Sequence, residues 1–423
     1  ICLYFLHRMT RIFLIPLLFL SAISLAEDLK FKHLSIEDGL SQNAVYEIIQ
    51  DRHGFMWFGT MNGLNRYDGY SFKHYIHEPF DSTSLSGNMI TELMEDSRGY
   101  LWIGTLRSGI NCFIPHEETF FRFNLFHPDK KINTEIRAFE EDESGNIWVG
   151  TWEEGLYKIN VDVDNHNEPN SNNRTIIQLI NNELKGRNIL DLHSDANSLW
   201  IATDSLLFKY YISDGTLQSY SIETMDPLNN NEDSISYEIF SISETEEGYL
   251  WLGTNSGLIR FDKITEKYTL YPHKYEIQRY GWGKITGIIA NNEGLLWLAT
   301  PAELMRFNPD TESYTYFRHD PSEGNSLSYN LISSLCIDRT GILWAGTAGM
   351  GINIYNPLNN QFSSFTPRRN NSSRIAGFSI RSVLKDHEDN IWISTGVLYK
   401  WNRKNNELKS FETTSEKPDD FGN

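Results

Sequence analysis

The chain has 423 residues, a formal net charge of −19, 13% aromatic residues and 29 glycines. An acidic surface repels nucleic-acid backbones and anionic membrane faces, so neither is expected as a partner. No long amphipathic helical pattern is present, and the aromatics and glycines suit many short strands joined by tight turns.

Residues 1–26 read as a signal peptide. Arg8 and Arg11 form a basic start, Ile12–Leu20 is an apolar run, and Ser24-Leu25-Ala26 places small residues for cleavage before Glu27. The run is short for a stable span, with an uncleaved anchor as the alternative. Position 1 is Ile, so the natural start is placed at Met9. The remainder is expected in the periplasm. Phe31–Leu34 has the character of an outer strand with no partners ahead of it, and is expected to close a ring by completing the last sheet.

A repeat then organises the chain. Tryptophans recur at Trp57, Trp102, Trp148, Trp200, Trp251, Trp297, Trp344 and Trp392, at intervals of 45 to 52 residues, within phrases such as Leu101-Trp-Ile-Gly-Thr105 and Leu343-Trp-Ala-Gly-Thr347. Such a period suits one four-stranded blade of a β-propeller. The first unit divides into strands A to D over Ala44–Gln50, Phe55–Thr60, Gly63–Tyr67 and Ser71–Tyr75. The seventh divides into Leu331–Ile337, Ile342–Thr347, Gly351–Tyr355 and Phe362–Phe365. Asp96-Ser-Arg-Gly99 and its equivalents are A–B turns, the Asp bonding its own backbone. The tryptophans are expected to wedge between neighbouring blades. The fourth unit is the poorest copy, without the turn Gly after Asp195 and without the Gly that opens strand C. The linkers Pro79–Ser86, Asp226–Ser236 and Asp320–Ser328 are of one type, and Val161–Arg174 is a solvated insertion. Cys112 and Cys336 are expected to be separate buried thiols.

The pattern Asp-x-x-Gly-x-Leu-Trp-Ile-Gly-Thr followed by Gly-Leu-x-Arg-Tyr-Asp, with the opening Leu34-Ser-Ile-Glu-Asp-Gly-Leu-Ser-Gln-Asn43, resembles the two-component regulator propeller family. The resemblance spans about residues 31–412. It implies an all-β fold: a seven-bladed propeller over 27–367, followed by the first blade of a second propeller over 368–423. It also implies the extracytoplasmic sensor region of a membrane protein. Its downstream output would be a hybrid histidine kinase or a diguanylate cyclase, and the full-length protein a homodimer. Lys417–Asn423 looks like the opening of another linker, so a longer protein is expected. An eight-bladed first ring is the alternative.

No nucleophile elbow, zinc motif, phosphate loop or cysteine pair is present, and no cofactor or metal is expected. His53, His319 and His387 fall in turns or linkers. The Asp of each turn stands three before the Gly, not two as in sialidase-type Asp-boxes, which weakens a glycosidase reading. A secreted lyase or glycosidase and a purely structural scaffold remain alternatives to a non-catalytic sensor. Ligands of propellers usually meet the face formed by B–C loops and D–A links. There, departures from the repeat mark candidates: Asn62, Arg107, Trp152, Glu153 and Asn255 in B–C loops, and Tyr280 and Trp282 in the link before unit six. Aromatic faces with Arg, Asn and Glu suit a carbohydrate or another polar organic ligand.

Overall fold

A computed structural model describes residues 29–123, 126–127, 130–131, 134–160, 176–181, 183–225, 234–246, 248–273, 283–358, 379–395, 397–402 and 407–411. Contacts divide the chain into two compact units, Ile1–Leu358 and Asn359–Asn423. The signal segment 1–26, the insertion 161–174 and the terminal linker 417–423 lie outside the described residues.

The first unit holds seven four-stranded antiparallel sheets. Blade one runs Val45–Gln50, Met56–Thr60, Gly63–Tyr67, Phe72–Tyr75 from inner to outer strand, within one residue of the bounds expected from the repeat. The inner strands of the other blades are Ile90–Glu95, Ile136–Glu141, Ile189–Asp195, Ile239–Glu246, Gly287–Ala290 and Ile332–Ile337. Each inner strand packs on that of the next blade, and the seventh packs on the first, so the ring is closed. Lys32–Leu34 supplies the closure. It pairs antiparallel with Ile352–Tyr355 of blade seven, Leu34 opposite Ile352 and Lys32 opposite Ile354. This strand holds the outer place that Phe362–Phe365 was expected to fill; those residues lie outside the described set.

One set of side chains makes every seam. The seven indoles are at most 7% exposed, and each meets an aromatic ring of the following blade. Trp57 lies 5.3 Å from Phe113, Trp148 5.5 Å from Tyr210, Trp251 5.8 Å from Phe307, and Trp344 closes the circle 6.0 Å from Phe58. The aspartate six residues earlier orients the indole. Asp51 accepts the turn N–H groups of His53 and Phe55 on Oδ1 and the Trp57 indole N–H on Oδ2 at 2.7 Å. The same double duty recurs at Asp96, Asp142, Asp338 and Asp386. In blade five Thr245 takes the indole instead.

The rest of the motif has equally direct causes. A Cβ on Gly104 would stand 2.7 Å from Ile136 of the next blade, and one on Gly150 would stand 2.6 Å from Ile189, so glycine lets inner strands approach. Blades four and six carry Ala202 and Ala299 at that place, both fully buried. The threonine that follows staples the B–C loop: Thr60, Thr105, Thr151, Thr203, Thr254, Thr300 and Thr347 each donate their hydroxyl to the carbonyl that opens strand C, at 2.6–2.8 Å. Strand C places a basic residue directly opposite the tryptophan in several blades, as Lys158 opposite Trp148, its ammonium 5.0 Å from the ring.

The fourth blade keeps the architecture despite its weak sequence. A tight hairpin with Ala196 at φ 44° replaces the Gly turn, and Asp195 is paired with Lys263 of blade five at 2.8 Å. Cys112 and Cys336 are buried free thiols in different blades, and burial pushes the Cys336 thiol up to about 12. His319 lies in a linker, as expected, and is tied down there: its Nδ1 meets the Leu327 carbonyl at 2.6 Å, and His77 does the same with Leu85 in the matching linker.

The second unit is one sheet: Ser382–Lys385, Asn390–Ser394, Leu398–Asn402 and Glu407–Phe411. It keeps the Asp386–Trp392 bond at 2.9 Å. Its inner face differs from every blade of the ring. Ile380 and Val383 are each 60% exposed, whereas their counterparts Val45 and Ile48 are 0% and 1%.

Candidate functional site

The inner strands begin at the face that bears the B–C loops and the D–A links. Each starts with a buried β-branched residue, Val45, Ile90, Ile136, Ile189, Ile239 and Ile332, except in blade six, where buried Ile285 stands two residues ahead of the strand. In six of the seven blades the register slips directly after it, as between Val45 and Glu47 or between Ile189 and Asp191. Such a bulge sets two successive residues against one partner and re-aims them. Here those two residues face the axis. They line a channel of about 470 Å³ with Tyr46, Glu47, Thr91, Glu92, Arg137, Leu190, Asp191, Phe240, Ser241, Thr286, Ser333 and Ser334 among its walls.

Several of these residues sew adjacent inner strands together. The Thr91 hydroxyl donates to the Ile136 carbonyl at 2.7 Å, Ser241 donates to Ile285 at 3.3 Å, and Ser333 donates to Val45 across the closing seam. Asp191 accepts the Leu192 N–H at 2.8 Å and the Ile242 N–H of blade five at 2.7 Å. The channel carboxylates are walled by protein. Burial pushes Glu47 up to about 8, with the charge of Asp191 adding to it, and pushes Asp191 up to about 7 against its two backbone donors. Glu92 is raised well above its usual range by burial and by Glu47 and Asp191.

The loop-bearing rim joins the channel through backbone bonds. In five blades the residue after the staple threonine donates to the carbonyl just ahead of the inner strand, as Leu106 to Met89 at 2.9 Å and Trp152 to Glu135 at 3.0 Å. Arg107 and Glu153 occupy the same loop position in blades two and three, both left-handed at φ 62° and 63°. That conformation costs an ordinary residue on the order of 1 kcal/mol, and such strain gathers at functional loops. The Arg107 N–H reaches the Thr134 carbonyl at 3.2 Å, and the Glu153 N–H reaches Asn188 Oδ1 at 2.9 Å. Trp152 is 39% exposed, with the Arg137 guanidinium 5.5 Å from its ring. Arg137 is in turn paired with Glu135 at 2.7 Å.

The structure thus gathers Arg107, Trp152 and Glu153 on neighbouring blades. Asn62 stays apart on blade one, its N–H held by Thr60, and half-buried Asn255 stays apart on blade five. Tyr280 and Trp282 lie outside the described residues. Reading the sequence by loop departures overlooked the channel: Glu47, Glu92, Arg137, Asp191 and Phe240 sit inside strands, at their bulges, and not in loops. A signal for them exists, namely the two non-repeating positions that follow the invariant β-branched residue of each inner strand.

Residues 39–62, 84–107, 130–153, 233–256 and 326–349 match the family model described as two component regulator propeller. The units without a match are those where Ala202, Ala299 and Ser394 replace the glycine of the motif. A stretch of 55 residues is 51% identical to Histidine kinase P4 of Formosa agariphila, covering 13% of this chain and 4% of that protein. Among solved structures, the chain is similar to the extracellular domain of a hybrid two component system, BT3049, from B. thetaiotaomicron. The identity is 22% and the TM-score 0.64, over 91% of this chain and 54% of that one. A second extracellular domain from that organism, of BT4673, gives 19% identity and a TM-score of 0.60, over 90% and 53%. A streptogramin B lyase gives 16% and 0.55, over 78% of this chain and 97% of that one. The chain spans about half the length of the two extracellular domains and a small fraction of the curated relative.

Proposed function

From a ring whose repeats are two-component regulator propeller repeats, we propose that this chain is the ligand-sensing, non-catalytic part of a membrane-bound signalling protein. The output module is a hybrid histidine kinase, a reading supported by the short, close match to Histidine kinase P4. The sensor region works on the extracytoplasmic side as a homodimer. The ligand is a carbohydrate or another polar organic molecule, taken on the loop-bearing rim.

The observation that carries this reading is the rim itself. A rigid seven-fold scaffold, stapled by one threonine per blade, presents exposed Trp152 beside Arg107 and Glu153 on strained loops. An aromatic face flanked by charge suits the apolar and hydroxylated sides of a sugar ring. A ligand acts on such a sensor only through its differential affinity for two arrangements of the larger protein.

The test is a thermal-shift screen of the chain against oligosaccharides and small polar organic compounds. A hit whose shift falls away in Trp152→Ala and Arg107→Ala supports the reading, and in the full-length protein it should alter phosphorylation of the output module. A hit indifferent to both substitutions removes the rim from the proposal. Turnover of the hit by the chain alone would replace the sensor with an enzyme.

A further inference from the structure

The channel and the loop-bearing rim are one continuous surface. Among the described residues, those that line the channel come from the rim and from the first part of the inner strands. Met89, Glu135, Thr286 and Leu331 each stand just ahead of an inner strand, and Pro301 follows the staple threonine of blade six. The space of about 470 Å³ therefore opens towards the B–C loops. Trp152 is fastened at its mouth. The Trp152 N–H donates to the Glu135 carbonyl at 3.0 Å, and its carbonyl accepts the Thr134 hydroxyl. Its ring lies 5.5 Å from the guanidinium of Arg137, which lines the channel.

The lining offers two kinds of surface. Tyr46 of blade one and Phe240 of blade five, both half-buried, bring aromatic rings from nearly opposite sides of the ring of blades. Glu47, Glu92 and Asp191 add carboxyl groups from three blades. A pyranose has apolar C–H faces and a hydroxylated edge, and these two kinds of surface match them. The charge of the wall is one-sided. Arg137 is paired with Glu135 at 2.7 Å, and Lys284, 4.7 Å from the Phe240 ring, is paired with Glu238 at 3.6 Å. The excess acid repels a carboxylate or a sulfate.

We propose that the rim and the channel form one site for the end of a linear, uncharged oligosaccharide, its terminal ring in the channel against Tyr46 and Phe240 and the next ring on Trp152. The sensor then reads chain ends and rejects acidic ones. A cavity of about 470 Å³, toward the small end of the range for ligand pockets, suits the end of a chain and not its length. The site extends the rim and rests on the rim taking a sugar.

The experiment is calorimetric titration of the chain with maltohexaose, cellohexaose, laminarihexaose, mannohexaose and xylohexaose. Any binder is then titrated with a bulky aryl tag on its reducing or its non-reducing end. A binder that tolerates the tag at one end is expected to lose roughly a hundredfold with the tag at the other, because a ring that cannot enter forfeits its whole contact. Tyr46→Ala should weaken binding about tenfold through the lost apolar face. The side chain of Thr286 is exposed at the mouth, and its N–H bond to the Ala299 carbonyl at 2.9 Å needs no hydroxyl. Thr286→Trp should therefore obstruct the channel and weaken binding further; if it melts below the parent, Tyr46→Ala and the tagged chains decide alone. A binder that needs Trp152 yet accepts both tags and ignores both channel variants overturns the chain-end proposal and leaves the rim reading standing. A binder lost in the channel variants but indifferent to Trp152→Ala and Arg107→Ala overturns both. Tighter binding of a uronic-acid chain than of a neutral one, or no binder among the five, also overturns the proposal, while the rim reading keeps its other polar organic ligands.

Discussion

One aspartate oxygen caps the A–B turn while the other fixes an indole in the seam, so turn and seam fail together when it is lost. Asp96 is 1% exposed and also holds Arg98 at 2.7 Å. Asp96→Ala leaves the Trp102 indole N–H and two turn amides unpaired, and should destabilise the ring by about 2–4 kcal/mol in denaturant titrations followed by tryptophan fluorescence. Asp96→Asn should cost less, because blade six turns on Asn291, whose Oδ1 accepts the Glu293 and Leu295 N–H groups. The channel acids give a pH signature of opposite sense to an ordinary salt bridge. Glu47 and Asp191 have folded-state values raised to about 8 and about 7, so the native ring holds protons that the unfolded chain gives up near pH 4. Their contribution therefore falls as pH rises from about 4 through those folded values, and levels off beyond them. Glu47→Gln should flatten the fall in melting temperature between about pH 5 and pH 9 and raise stability at the alkaline end, by on the order of 1 kcal/mol once channel water is allowed for. Cys112 and Cys336, buried and with thiols raised by burial, should resist a thiol reagent until the chain is unfolded.

At the scale of elements, the ring depends on a strand that is remote in sequence from its partner. Lys32–Leu34 covers the edge of Ile352–Tyr355, and Leu29, Phe31 and Leu34 around it are each at most 6% exposed. Phe31 adds a backbone bond to Asn325 at 2.8 Å and His33 adds a ring contact to the Ser326 carbonyl at 2.8 Å. Removing residues 29–34 should lower the melting temperature and strip exchange protection from the amides of Ile352–Tyr355 first, as the edge opens. The approach of adjacent inner strands sets a second limit. In Gly104→Val the new Cβ would overlap Ile136 of blade three, so the blade two–three seam must part, at about 1–3 kcal/mol or more. Blades four and six tolerate alanine. At blade six, Gly287 of its own inner strand leaves room, since a Cβ there would lie 3.4 Å from the Ala299 methyl.

For the whole molecule, closure at seven blades is complete within residues 29–358, where the seventh inner strand meets the first and Ser333 donates to the Val45 carbonyl. A chain ending at Leu358 should therefore fold and melt cooperatively. The sheet of the second unit is a different case. With Ile380, Val383 and Leu384 at 60% or more exposed, it has an inner face of blade type without the cover that blades one to seven enjoy. We read it as the first blade of a second propeller. Residues 379–411 alone should give no cooperative melt, because a lone four-stranded sheet buries too little apolar surface to offset its ordering. A sharp melt of that fragment would rule the reading out.

Fold and the strands of each blade were legible because the causes are local and repeated, whereas eight repeat units left the first ring at seven blades or eight until closure in space decided it. The Asp, Gly, Trp and Thr of each unit act within one turn, one strand or one adjacent seam, so a period near 46 residues and strand bounds follow from the chain read alone. Even the closing strand at Phe31–Leu34 was visible as a strand lacking a sheet. The Phe362–Phe365 assignment illustrates the limit: the repeat predicts a fourth strand in every unit, but only pairing in space decides which segment fills the last edge. The channel was hidden for a related reason. Each inner strand contributes only a few axial residues, and Glu47, Glu92 and Asp191 are unremarkable until the bulges of six blades, far apart along the chain, turn them towards a common axis. Their raised pKa values are properties of that enclosure. No residue carries them by itself, because desolvation is set by what the folded ring brings around a group and not by its neighbours in sequence.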